Sequence, residues 1–200
     1  SQSPSIRIGQ FRLSGGSVYL DTVQRLDSVD LTLSLVSVPA QMEAQLADAR
    51  VHMIQERVSL KNLSGTARLT PDSLVVTDLV VMTGASSLRA GLRMAFQPSA
   101  IAVKLESLSV SLPEVTAAVP VGQKASAAPV GQRPPVRGRF RAAGHVGLEK
   151  DQPSGTVRYS AEGLVWQAVH LPTIDGKLGL KDSVVQVTLT GADSGLGSAD

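Results

Sequence analysis

Apolar and polar side chains alternate along most of this chain. Strict alternation places every second side chain on one face of a strand. Phe11 and Leu13 alternate with Gln10 and Arg12, and Val18 and Leu20 follow the turn signal "SGG" at 14–16. Val29, Leu31, Leu33 and Leu35 alternate with Asp30, Thr32 and Ser34. The clearest segment sets Leu88, Ala90, Leu92, Met94 and Phe96 against Arg89, Gly91 and Arg93. After "QPSA" the pattern resumes as Ile101, Val103 and Leu105, with Lys104 and Glu106 on the other face. It then slips by one near Ser107 and continues as Leu108, Val110 and Leu112, which predicts a bulge or a turn between two strands.

Two stretches break the simple rule. "SLVVTDLVVMTG" (73–84) is apolar on both faces. Plain counting groups Leu74, Val76, Val80 and Met82 on one side, and Val75, Leu79 and Val81 on the other. Such a strand is covered on both sides, or covered on one and greasy on the other. In 40–57, Met42, Leu46, Ala49 and Met53 sit at helical spacing among good helix formers. Propensity therefore predicts a helix there, although Val51 and Met53 also alternate with Arg50 and His52.

Residues 113–136 are rich in Pro, Ala, Gly and Gln and read as a linker or a long exposed loop. This divides the chain into a β-rich repeat segment at 1–115, a linker at 116–136 and a second β-rich segment at 137–200. Strand signals resume in "RGRFRAAGHVGLE" and "SGTVRYSAEGLVWQAVHL". The last segment also repeats an earlier one. Leu63, Gly65, Ala67 and Leu69 match Ile174, Gly176, Leu178 and Leu180, and Asp72-Ser73-Leu74 matches Asp182-Ser183-Val184 after one deletion. Each unit reads as a strand, a turn at Asp-Ser, a strand and a turn at Gly.

Composition narrows the function classes. The chain has 200 residues and is 42% hydrophobic, enough to exclude wholesale disorder, but only 3% aromatic. Its 18% charged residues fall below the roughly 25% usual for soluble domains. Net charge is +2, with 13 Arg and 6 Lys dispersed along the sequence. No basic run carries interleaved aromatics, so nucleic acid is not an expected partner. There is no Cys, which removes disulfides and thiolate metal sites. No apolar run approaches the ~18 residues of a membrane span. The chain has no initiator Met and reads as an interior piece of something longer, with any anchor or export signal outside it.

Catalytic signatures are missing. His52, His145 and His170 are scattered without ligand spacing, and no H-E-x-x-H, G-x-S-x-G, Walker loop or dinucleotide fingerprint occurs. No cofactor or metal is expected, and the chain reads as a non-enzyme. Trp166 reads as a core filler. Arg89, Arg93, Arg137, Arg139, Arg141 and Arg158 fall on alternate strand positions. They describe a solvated outer face, or a contact with anionic headgroups or an acidic partner.

One region carries a family resemblance. The run Glu56–Met94 contains Glu56-Arg57, "LKNLSG" (60–65), "DSLVVTDL" (72–79) and "TGASSL" (83–88). It resembles the translocation and assembly module family (TamB) of the AsmA-like superfamily, in its Bacteroidota form. The segment from Gly138 to Asp193, with "DGKLGLKDSVVQV", resembles later repeats of that family. The resemblance implies an all-β fold: a curled, elongated antiparallel sheet, a β-taco or open groove with an apolar concave face. It implies strand rather than helix over 45–54. It further implies a parent protein anchored in the inner membrane of a diderm bacterium and spanning the periplasm. That protein would carry phospholipid between the membranes or aid outer-membrane protein assembly and secretion. Its partners would be phospholipid acyl chains and an outer-membrane assembly protein.

The expected lining of such a groove is Val76, Val80, Leu88, Leu92, Met94, Phe96, Ile101, Val103 and Leu105. An aliphatic sheet offers acyl chains a dry surface worth about 25 cal/mol per Å² of apolar area covered. The rival reading is a structural or adhesive all-β domain whose apolar faces meet in a closed β-sandwich core. A carbohydrate-active β domain is a more remote alternative.

Overall fold

The computed structural model describes residues 5–19, 25–53, 58–118, 136–150, 152–166, 169–171, 173–181 and 184–193. Among these, strands β1 (Ile6–Tyr19), β2 (Arg25–Val38), β3 (Gln41–Met53), β4 (Val58–Leu60), β5 (Asn62–Leu69) and β6 (Ser73–Met82) make the first half. Next come β7 (Ser87–Phe96), β8 (Ser99–Ser111) and the short helix α1 (Leu112–Ala118). The rest is β9 (Val136–Glu149), β10 (Gln152–Trp166), β11 (Val169–His170), β12 (Thr173–Lys181) and β13 (Val184–Asp193).

All the strands belong to one antiparallel sheet that follows the chain: β1-β2-β3-β5-β6-β7-β8-β9-β10-β12-β13, with β4 extending β5 beside β3 and β11 extending β12 beside β10. Eleven rows at about 4.8 Å each give a sheet about 48 Å across. Its edges, β1 and β13, do not meet. The molecule is an elongated, curled, open sheet and not the closed sandwich of the rival reading.

Turn chemistry fixes the registers. Val38 pairs with Gln41 around Pro39-Ala40, with Ala40 at φ 63. Pro sets the first central φ, and the second needs a left-handed residue. At the β5–β6 turn, Thr70 N–H donates to the Ser73 carbonyl at 2.8 Å and Ser73 N–H to Thr70 Oγ1 at 3.0 Å. Phe96 N–H reaches across to the Asp72 carbonyl at 2.9 Å. The Asp-Ser turn of the first sequence repeat is therefore real.

Bulges interrupt the ladders along one transverse line. Ala47 is the extra residue beside the Leu33–Leu46 pair, and Leu46 in turn faces Gly65. Opposite Gly65, β6 holds an extra residue at Asp78, which adopts φ 53. One step on, Leu79 pairs with Ala90 and Ala90 with Leu105, where Glu106 is extra. A bulge bends its strand and raises the local twist, so a row of them curls the sheet about this line. The phase slip near Ser107 is this third bulge, inside one continuous strand.

The same bulges correct two sequence expectations. Residues 54–57 lie outside the described residues, and 41–53 are strand β3 and not helix. Its apolar positions run 42, 44, 46, 49 and 51. The bulge at Ala47 turns a period of two into a step of three, which imitates helical spacing. In β6 the bulge swaps the faces past Asp78. Val76 pairs with Leu92, while Leu79 and Val81 pair with Ala90 and Leu88. Val80 pairs with Arg89 and lies on the opposite, polar side.

The sheet runs unbroken from the first β-rich segment into the second, since Ala100–Ser111 pairs with Arg139–Glu149. Residues 113–118 of the proline-rich stretch belong to α1 and 136 opens β9; 119–135 lie outside the described residues. The two sequence repeats each pair two consecutive strands, β5–β6 and β12–β13; the second Asp-Ser turn, at 182–183, lies outside the described residues. Each has its glycine, Gly65 or Gly176, beside a register shift against the second strand.

Candidate functional site

Cross-strand partners share a face, so the registers sort every described strand residue. One face carries Phe11 and Leu13, Leu31 to Leu35 on alternate positions, Leu63, Ala67, Leu74, Val76, Leu79 and Val81. It continues through Leu88, Leu92, Met94, Ile101, Val103, Leu105 and Leu108 to Phe140, Val146, Leu148, Val157, Tyr159, Leu178 and Val187. The other face carries most of the Arg, Lys, Glu, Ser and Thr positions, with Val36, Val75 and Val80 among them.

Of the nine expected groove residues, eight lie together on the apolar face: Val76, Leu88, Leu92, Met94, Phe96, Ile101, Val103 and Leu105. Leu92 pairs with both Val76 and Val103, and Val103 with Val146, giving a four-strand aliphatic row. Val76, Leu92, Val103, Leu105 and Val146 border a hollow of about 840 Å³, but so do Thr77, Arg93, Lys104, Glu106 and His145, so this hollow is not lined by the apolar face alone. Val80 alone falls outside, for the reason given above.

This face is uncovered. The buried apolar residues Val29, Ala49 and Ala142 (6–7% exposed) all lie on it, and among the described residues no side chain is fully buried. Phe96 and Val103 remain 39% and 38% exposed, and at the β13 edge Val187 and Leu189 reach 62% and 66%. Among the described residues the apolar face is not sealed into a core.

Aromatic mass gathers at one place. Phe140 and Tyr159 stack with ring centroids 6.2 Å apart at 19° between planes. Tyr159 leans over Gly176, directly opposite on β12. At one hairpin rim, Met42, Leu69 and Phe96 come together around a hollow of about 460 Å³. Neither grouping was foreseen from sequence, because each depends on which strands become neighbours and in what register.

The opposite rim is fastened by Glu114 of α1. Its carboxylate accepts from Gly84 N–H at 2.7 Å, Ala85 N–H at 3.2 Å and Ser86 Oγ at 2.5 Å. Partial burial pushes this carboxyl upward, but the hydrogen bonds from Ser86, Thr83, Ala85 and Gly84 outweigh it and hold the pKa below its ordinary value of 4.5.

On the polar face, Arg68 pairs with Glu43 at 2.9 Å and Arg141 with Glu162 at 2.7 Å. These are solvent-screened pairs of small energetic weight. Among the described residues no group of three or more His, Asp or Glu is placed to hold a metal. No helix there is long and apolar enough to cross a membrane.

No family model, curated protein or solved structure matches the chain.

Proposed function

We propose that this chain is a β-rich segment of an envelope protein whose apolar groove holds phospholipid acyl chains. Its setting is the periplasm of a diderm bacterium, in a parent protein anchored in the inner membrane. Its work is passage of phospholipid between inner and outer membranes, with outer-membrane protein assembly as a linked role. The observation that carries this reading is a single aliphatic face, continuous across eleven rows of strand and left uncovered. An acyl chain has no hydrogen bonds to satisfy, and that face offers it few. The motif resemblance in Glu56–Met94 supports the envelope setting.

The rival, an adhesive domain sealed around its own core, requires the apolar sides to meet, and the open sheet removes that basis.

The test is direct. The purified chain is extracted for bound phospholipid and titrated with a fluorescent acyl probe. Bound lipid in the wild type, lost in Leu92→Arg and Val103→Glu with an unchanged circular dichroism spectrum, is the expected result. A lipid-free protein that ignores the probe would sink the proposal.

A further inference from the structure

The polar side of the second half carries a basic depression for which an apolar groove has no use. It is built by register. The Glu106–Ser107 bulge of β8 faces Ala143 of β9, Ala143 pairs with Arg158 of β10, and Arg158 pairs with Lys177 of β12. Arg141 pairs with Ser109 on one side and Ser160 on the other, which makes it the diagonal neighbour of Arg158. Of these, Ser107, Ser109, Arg141, Ala143, Arg158 and Ser160 border a hollow of about 480 Å³ that Asp175 and Tyr159 border too; Lys177 stands beside it as the partner of Arg158.

Charge sets the problem this hollow poses. Like charges directly opposite on adjacent strands are destabilising, yet Arg158 and Lys177 stand opposite each other. Both are exposed, and neither joins an ion pair among the described residues. Arg141 is already bonded to Glu162. Ala143, between the two arginines, has only a methyl group, which leaves the floor open to a ligand. Ser107, Ser109 and Ser160 supply hydroxyl donors around it. The one ring among the described residues that border the hollow, Tyr159, belongs by register to the other face.

We infer that this hollow binds a phosphate group, either as a free anion or as the headgroup of a phospholipid. The Arg158 guanidinium presents paired donors to two phosphate oxygens, Lys177 adds a point charge, and the serine hydroxyls complete the shell. Asp175 repels the anion from its own side. It therefore seats the phosphate against Arg158 and leaves an acceptor for a hydroxyl or ammonium carried beside it. This site lies on the reverse of the groove and does not depend on what the groove holds.

Two measurements on the 200-residue chain test it. Inorganic phosphate is titrated while the arginine Nε–H resonances are followed, with chloride as the control. Co-sedimentation is then run with phosphatidylcholine vesicles, with and without phosphatidylglycerol, in dilute salt. The expected result is a phosphate-specific shift of the Arg158 signal. Anionic-vesicle binding should fall roughly fivefold for each cation removed in Arg158→Gln and Lys177→Gln, and Arg93→Gln, outside the hollow, should change little. A phosphate shift with vesicle binding assigns the lipid headgroup, and a shift without it assigns a soluble phosphate; either supports the site. No shift beyond that of chloride overturns it, as does an Arg93→Gln loss equal to that of Arg158→Gln. Binding to duplex DNA without any phosphate-specific Arg158 signal also overturns it. Because the groove variant Leu92→Arg leaves this face intact, it should retain the phosphate response even if the groove proposal fails.

Discussion

The ring of Tyr159 occupies the space that a side chain at Gly176 would need. The two residues pair across β10 and β12, and a Cβ built on Gly176 would clash with Cζ and the hydroxyl oxygen of the tyrosine and lie 2.7 Å from the Thr188 carbonyl oxygen. Gly176→Ala is therefore expected to destabilise the sheet by about 1–3 kcal/mol through overpacking. The measurement is the urea midpoint. Combining it with Tyr159→Ala should recover part of the loss and not all of it, since the backbone contact with Thr188 persists.

The face swap at Asp78 separates two neighbouring valines. Val76→Glu puts a carboxylate into the aliphatic row beside Leu92 and should weaken acyl-probe binding by about tenfold, on the basis of roughly 1–2 kcal/mol for an apolar contact replaced by a charge. Val80→Glu, facing Arg89, should leave probe affinity within about twofold. Equal losses at both positions would contradict the register.

Glu114 makes stability pH-dependent in one direction. Its folded pKa is depressed, so its contribution is complete above its ordinary value and disappears as pH falls through the lower folded value. Glu114→Gln should cost on the order of 1 kcal/mol at neutral pH, a charged hydrogen-bond loss tempered by solvent exposure. The gap between wild type and variant should close in acid. Denaturant midpoints at pH 7 and below pH ~4 make the comparison.

Ala40 holds a left-handed conformation at φ 63 in the Pro39-Ala40 turn. Glycine adopts it without the Cβ conflict, which is worth roughly 1 kcal/mol. Ala40→Gly should raise the thermal midpoint by several degrees, the shift expected of about 1 kcal/mol in a domain of this size. A lowered midpoint would mean that the unfolded-chain entropy of the new glycine dominates.

Strand identity was legible wherever alternation ran uninterrupted. Leu88 to Phe96 and Val29 to Leu35 sit as their period of two dictates. What the pattern could not give was phase across a bulge. Nothing in "VVTDLVV" announces that Asp78 takes a left-handed turn inside the strand, so Val80 was placed one residue out of step. In the same way, one extra residue at Ala47 made a strand resemble a helix. Long-range groupings such as Tyr159 with Phe140 and Gly176, or Met42 with Leu69 and Phe96, depend on which strands become neighbours. Alternation within one strand carries no such information. The glycine repeat at 65 and 176 was visible as text, but its purpose, room for a distorted partner strand, appears only in three dimensions.

The aliphatic rows have a kinetic corollary. On the proposed function, a hydrocarbon tail resting on Val76, Leu92, Val103 and Val146 would meet nearly the same methyl corrugation at each successive strand and break no directional bond when it shifted. Its displacement would resemble diffusion over a low washboard, with a stride set by the inter-strand spacing and no deep trap along the way. Traffic over such a surface would respond to the supply at either end, and the surface itself would impose no preferred heading.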